Sequence, residues 1–311
     1  MRVCWQAPCV MKLNALHALV AAIEEGSFRG AARRLGVSQP ALTKTLRELE
    51  LELSTTLVER STRGVTPTLQ GKVLYERALN VQRELTAATD AINQMGGNMV
   101  GTLSVGAVPL AVTLLVPEAA RTFGRDFPGV KLRIVEELYL AHLPRLRRRE
   151  VDIAIGGIPD DLASGEYSVE PLMETRMIPV VRRGHPLAKA TSLGELGRAG
   201  WIYTGVTSDT GYATTLFAMH HLPAPVAAAS VTSTLALMAM LTSSDYVGLL
   251  PEQLMTHPLA AQLVVAPPIA EVGVQLQIGA IARHESMVLP AVRHFLAHLH
   301  RAAYRLKRET Q

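Results

Sequence analysis

The chain has 311 residues, about twice the usual single-domain length of ~150, so two or three domains are expected and each can bury a core. Hydrophobic residues at 48% against 19% charged describe a globular protein and exclude disordered and fibrous classes. The formal net charge of +4 permits a nucleic-acid partner without requiring one, because local charge placement decides that.

Both cysteines, Cys4 and Cys9, lie in the first ten residues. Neither a disulfide framework nor a cysteine metal cluster can therefore hold the rest, and a reducing compartment is expected. The same ten residues have no sustained apolar stretch or small-residue cleavage site and make a poor secretory signal, with Met11 a candidate start. No apolar run approaches the ~20 residues of a membrane span, so no membrane partner is expected and the cytoplasm is the expected location.

Leu13, Leu16, Leu19, Val20 and Ile23 recur at helical spacing and predict a first helix that ends at Glu24-Glu25-Gly26. Ser27 is the expected N-cap of a second helix, with Phe28, Ala31, Ala32 and Leu35 inward and Gly36 as its left-handed stop. Ser38 caps a third, with Pro40 in its first turn and Ala41, Leu42, Leu46, Leu49 and Leu53 as the buried stripe. Helix, glycine turn, helix is the helix-turn-helix arrangement, whose second helix enters the DNA major groove by its N-terminal residues. Between Ser27 and Arg47 there are five basic residues, Arg29, Arg33, Arg34, Lys44 and Arg47, and no acidic one. That asymmetry suits phosphates; the solvated face of an ordinary helical bundle would carry the same charges.

Arg60 and Arg63 flank Gly64 in a turn-rich segment with the chemistry of a hairpin wing, which would touch backbone or minor groove. From Thr68 to about Met95 one long helix is predicted. Leu74, Ala78, Val81, Leu85, Ala88, Ile92 and Met95 are spaced 4, 3, 4, 3, 4, 3, the pattern of a dimerising coiled coil and equally of a globular helix. After Gly96-Gly97-Asn98 short apolar strands alternate with amphipathic helices, which implies a parallel sheet. Strands are expected at Thr102 to Gly106, Val130 to Glu136 and Val151 to Ile155, and helices at Leu114 to Phe127 and Leu140 to Arg149. Further segments at Ile178 to Val181, Leu193 to Leu196, Trp201 to Tyr203, Thr214 to His220, Ala227 to Val231, Leu235 to Leu241 and Val247 to Leu249 complete two α/β lobes. The cleft between such lobes is the default ligand site.

The run from Ser27 to Glu50, then Leu57-Val-Glu-Arg60, Arg63 and Thr66-Pro-Thr-Leu-Gln-Gly71, resembles the N-terminal signature of LysR-type transcriptional regulators. Leu115-Val-Pro117, Phe127-Pro-Gly-Val130, Arg149-Glu-Val-Asp-Ile-Ala-Ile155, Arg183-Gly-His-Pro-Leu187, Leu193-Gly-Glu-Leu196 and Leu249-Leu-Pro251 resemble the family's effector domain. The resemblance implies an α/β protein with an all-α winged helix-turn-helix head at 11–70, a dimerising linker helix at 71–97, and a two-lobed effector domain. That domain would be like a type 2 periplasmic binding protein, its first lobe at 100–172 and 275–311 and its second at 173–274, with a returning strand at Gly273 to Arg283. It further implies a dimer of dimers, double-stranded promoter DNA and a small-molecule inducer as partners, and RNA polymerase as a further one. Here Leu57-Val58 replaces the usual Leu-Phe, Leu53-Ser54 the usual Leu-Gly, and Thr43 a usual Ser. Ser243-Ser-Asp-Tyr246 replaces a glycine-rich turn, and with Leu222-Pro223 it resembles a branch responding to sugars or aromatic acids.

On the head, Ser38 is chiefly a cap and Gln39 a reader of base edges, since an amide pairs with adenine in a bidentate way. Pro40 and Thr43 offer apolar contact, Lys44 and Arg47 reach phosphate or guanine, Arg33 and Arg34 suit backbone contacts, and Arg63 suits the minor groove. In the cleft, the loop Ala107-Val108-Pro109 would offer helix N-terminal donors to an anion. Val108 stands there where relatives place a hydroxyl. Glu136 and Glu137 close a strand, Tyr203 and Thr204 end another, Thr232 and Ser233 precede a helix that either could equally cap, and Gly156-Gly157 would allow close approach of a ligand or simply turn. His294 and His298 are spaced i, i+4 but have no carboxylate or cysteine at ligand spacing, so no metal and no cofactor are expected. With no Gly-x-Ser-x-Gly, phosphate loop or Gly-x-Gly-x-x-Gly, an enzyme is not expected either. The expected function is a ligand-responsive regulator whose effector alters tetramer geometry and DNA bending. The alternative is a constitutive DNA-binding oligomer whose lobes serve only assembly.

Overall fold

The computed structural model describes residues 11–61, 64–136, 142–159, 162, 165–205 and 211–310. They form two compact units, one up to Thr89 and one from Asp90 onward.

The first unit starts with α1 (Leu13–Glu24), α2 (Phe28–Leu35) and α3 (Gln39–Glu52). The expected caps are present: Ser27 Oγ accepts from the Gly30 amide at 3.1 Å, Ser38 Oγ from the Ala41 amide at 3.3 Å, and Gly36 ends α2 at φ 65°. Leu19, Phe28, Leu42, Leu46, Leu49 and Leu57 fill the core. Three positions expected inside lie outside: Ala41 is on the outer side of α3, Leu35 is in the last turn of α2, and Leu53 is the residue beyond α3. Ser54, next to it, stands where glycine is usual and takes a left-handed φ of 49°.

The wing is an antiparallel hairpin of β1 (Val58–Ser61) and β2 (Gly64–Pro67). Glu50 Oε1 accepts from the Leu57 and Val58 amides at 2.8 and 3.2 Å, and the Val65 amide bonds Gly26 O at 2.8 Å, so both strands are tied to the helices. Thr68 Oγ1 donates to Thr56 O at 2.8 Å and accepts from the Gly71 amide at 3.0 Å, capping α4 (Leu69–Met95). Gly71 is fixed by packing: a Cβ there would lie 1.9 Å from Leu57 O.

The apolar seam of α4 is divided. Leu74 and Ala78 pack on Leu16 and Val20 of α1, so these two are not free for a partner helix. Val81, Leu85 and Ile92 remain 41%, 45% and 72% exposed, with Ala88 exposed on the same stripe.

In the second unit the first lobe has three parallel strands, β3 (Gly101–Ala107), β4 (Val130–Glu136) and β5 (Ile153–Gly157), ordered β4-β3-β5. They are joined by α5 (Pro109–Leu114), α6 (Val116–Asp126) and α7 (His142–Arg147). The helix expected at Leu114 to Phe127 is α6, with Pro117 in its first turn, and α5 is an additional short helix before it that the sequence pattern does not mark. The chain then enters β6 (Tyr167–Arg182), of which sequence periodicity marks only Ile178 to Val181.

The second lobe adds α8 (Leu193–Leu196), β7 (Trp201–Thr204), α9 (Tyr212–Met219), β8 (Ala227–Val231), α10 (Thr234–Ser243), β9 (Gly248–Pro251) and β10 (Val264–Val265). Strand β11 (Val274–Arg283) returns antiparallel to β6 over its whole length and pairs β5 on its other side. Helix α11 (Pro290–Thr310) closes the first lobe, where Phe295 meets Phe123 edge to face at 5.3 Å. Trp201 and Phe217 centre the second lobe's core. Residues 172–173 lie inside β6, and Val274 opens β11, so the sequence-based lobe boundaries fall on the crossing strands. Buried Gln94 bonds Val100 O and the Ala291 amide at 3.0 and 3.2 Å.

Gly71→Ala is expected to lower stability by more than about 2 kcal/mol, because the Cβ collides with backbone that cannot rotate away. Gly124→Ala, in α6 with nothing within 4 Å of its Cβ, is expected to raise it by roughly 0.5–1 kcal/mol. Urea unfolding of both variants checks the contrast.

Candidate nucleic-acid interface and ligand cleft

Burying Leu42, Leu46 and Leu49 turns the opposite side of α3 outward. Gln39, Pro40, Lys44 and Arg47 are exposed there and Thr43 is half-buried. Lys44 lies 3.8 Å from Glu48, an exposed pair that solvent screens. Arg33 and Arg47 have no acid in salt-bridge range among the described residues, so their charge is available to phosphates.

Arg34 differs. Its guanidinium is 2.5 Å from Glu24 and 3.6 Å from Glu25, and the Tyr75 hydroxyl donates to the same Glu24 at 3.2 Å. The Glu24 hydrogen bond and charge hold its pKa above the ordinary arginine value. Arg34 therefore braces α1 against α2 while its side chain stays 46% exposed. Arg60 lies on β1 opposite Val65, and Arg63 lies outside the described residues.

Ala107, Glu136 and Gly157 stand at the carboxyl ends of the parallel strands, with Ala107 registered against Glu136 and Ile155. This is the edge at which α/β sheets hold ligands. The expected anion donors at α5 are reduced, however. The Val108 amide bonds Ile155 O at 2.9 Å and Pro109 has no N–H. Glu136 is exposed at the end of an edge strand, and Glu137 lies outside the described residues.

In the second lobe Thr204 ends β7, half-buried, and exposed Thr232 follows β8, the two strands being parallel. Ser233 caps α10, accepting from the Ala236 amide at 3.5 Å. The Tyr203 ring is in the lobe core, its hydroxyl donates to Pro225 O at 2.6 Å, and it lines a small pocket with Thr204 and Tyr212. Two apolar residues are added. Leu114 of α5 packs against the cores of both lobes, and Ile158 fills the space above Gly279, where a Cβ would come within 2.7 Å of it. Neither carries a polar signal that sequence reading could use.

The i, i+4 histidines of α11 face α6. His294 stacks on Phe127 at 4.6 Å. Buried His298 is hydrogen-bonded through Nδ1 to Thr122 Oγ1 at 2.7 Å. Its Nε2 lies 3.7 Å from Asp126. Burial lowers the His298 pKa, Arg301, His294 and Arg125 lower it further, and Asp126 opposes them.

Residues 13–72 match the family model for the bacterial regulatory helix-turn-helix protein of the lysR family, and residues 96–303 match the LysR substrate binding domain. Among curated relatives, the transcriptional regulator GbpR of Azospirillum brasilense is 29% identical over 78% of this chain and 72% of its own length. The regulator GalR of Pseudomonas putida is 28% identical over 89% and 70%. Across the curated relatives compared, the chain spans 57% to 72% of their length. Full-length CbnR in complex with its target DNA shares the fold at a TM-score of 0.71 and 20% identity, over 94% of this chain and 100% of that one.

A histidine held neutral in the fold contributes stability that is present above its unfolded pKa and lost as pH falls through the folded one. Starting from the ordinary value of 6.5, unfolding temperature is expected to fall as pH drops below that point. His298→Leu should flatten that slope, and an unchanged slope would show that other groups set it.

Proposed function

The chain belongs to the LysR family of bacterial helix-turn-helix transcriptional regulators, and from that premise we propose that it is a ligand-responsive regulator of promoter DNA. In this reading α3 enters the major groove, with Gln39 on base edges, Pro40 and Thr43 in apolar contact, and Lys44 and Arg47 on phosphate or guanine. Arg33 and the wing residues Arg60 and Arg63 hold the backbone and minor groove. The observation that carries the proposal is the outer side of α3, where these side chains face away from a core of three leucines behind a Ser38 cap.

Self-association through α4 fits the exposed seam of Val81, Leu85, Ala88 and Ile92, with two dimers forming the tetramer. A small effector then lies at the strand ends that carry Ala107, Val108, Pro109, Glu136 and Gly157 in one lobe and Thr204, Thr232 and Ser233 in the other. Its binding brings the lobes together and shifts how effector domains pack, which alters DNA bending. RNA polymerase is the downstream partner. The Ser243 to Tyr246 and Leu222-Pro223 variants favour a sugar or an aromatic acid as the effector.

Replacing Gln39 and Lys44 together by alanine is expected to abolish footprinting on the promoter beside its own gene while sedimentation still reports the oligomer; intact protection would reject the assignment. Sugars and aromatic acids tested at about 100 times Kd should include one that stabilises the fold by about 2.7 kcal/mol. A panel with no stabiliser would favour lobes that serve only assembly.

A further inference from the structure

A groove of about 1410 Å3 runs beside the crossing strands, one strand over from the Gly157 end of β5, which is paired with Ile278 of β11. Pro171 to Glu174 of β6 form its floor with Gln277 of β11, and the last turns of α11 from His300 form its wall. Gln253, in the turn after β9, contributes from the second lobe. An occupant therefore touches both lobes where they join.

The wall is cationic, and its cations are not equivalent. Arg305 is ion-paired with Glu118, and His300 Nε2 lies 2.5 Å from Glu170. Arg301, Lys307 and Arg308 have no acid in salt-bridge range among the described residues. Between them Tyr304 is 64% exposed, with the Arg308 guanidinium 6.0 Å from its ring centre. Leu172 and Met173 are half-buried below.

A peptide strand is a poor occupant. Along residues 167–176 β6 is paired on one side only, by β11, but this edge is blunted. Leu172 is the extra residue of a bulge opposite Ile278 and Gly279, Pro171 has no N–H, and Gln253 Nε2 donates to Glu174 O at 3.1 Å. Recognition must come from side chains, and these offer several positive charges on the α11 wall beside an aromatic and apolar surface, with the exposed Glu174 carboxylate on the floor.

We propose that this groove is a second ligand site, for an organic anion carrying two or more negative charges on an aromatic or apolar body. Arg301, Lys307 and Arg308 bind the charges, and Tyr304, Leu172 and Met173 cover the body. Titration calorimetry of the full chain with benzene-1,2,4-tricarboxylate tests it. One equivalent is expected to bind, and the double variant Arg301→Gln, Arg308→Gln, with an unchanged unfolding temperature in the absence of probe, should bind at least about tenfold more weakly. The double variant Thr204→Ala, Thr232→Ala should bind it as the parent does. The site is rejected by no heat at millimolar probe, by affinity no greater than for inorganic phosphate, by binding that survives loss of both arginines, or by binding lost with Thr204 and Thr232.

Discussion

The second unit depends on one backbone ladder. From Val274 opposite Met177 to Arg283 opposite Tyr167, β11 pairs antiparallel with β6, so main-chain hydrogen bonds run unbroken from one lobe into the other apart from one bulge. Such bonds are indifferent to side-chain identity, which leaves both faces of the two strands free to serve different lobes. The bulge falls opposite Ile278 and Gly279, where the lobes meet, and an unpaired residue there adds local twist and weakens pairing. Gly279 admits Ile158 and the Glu170 carbonyl to within 3.0 Å of where a Cβ would sit. The junction therefore combines one interruption of the ladder with close packing around Gly279. Beyond it Arg283 is buried, donating to Leu146 O and Val151 O at 2.6 and 3.0 Å and lying 3.6 Å from Asp152. Burial pushes the Asp152 carboxyl above its ordinary range, although the Ser104 amide and Arg283 both oppose this.

The head is organised by contacts of a different kind, short in sequence and mostly of capping type. Ser27, Ser38 and Thr68 each satisfy a helix start, and Glu50 reaches seven residues on to hold the entry to the wing. These bonds fix the angles between consecutive elements before any long-range packing is considered. The long-range constraint is then the approach of α4 to Leu57 at Gly71, with α4 covering α1 through Leu74 and Ala78.

This difference explains what could be read from the sequence. Caps, glycine stops and three-to-four spacing are local, so α1, α2, α3 and the outward side of α3 were legible from residue types alone. Strand β6 was not: Glu170, Glu174 and Arg176 interrupt its apolar pattern, because there the ladder and not burial holds the strand. The heptad of α4 was legible as a pattern, yet spacing cannot say that Ala78 faces α1 of its own chain while Ile92 faces outward. Tyr203 and Arg34 show the same limit for polar groups. Their chemistry suited a ligand and a phosphate, but Pro225 and Glu24, 22 and 10 residues away, already occupy them.

Charge follows from the same distinction between a residue and its neighbours. A net charge of +4 says little, because most of an ion pair's field cancels at the distance of a ligand. Arg125 with Asp126, Arg182 with Asp245 and Arg34 with Glu24 are each compensated within 3 Å. Arg33 and Arg47 on the head, and Arg301, Lys307 and Arg308 on α11, keep their field because no carboxylate stands in range among the described residues. An anion that approaches them displaces only water and counterions, whereas at a paired arginine it must first compete with an acid already in place. Where uncompensated cations gather, rather than their number, therefore marks where this chain can bind polyanions, and the outer side of α3 and the α11 wall of the groove are two such places.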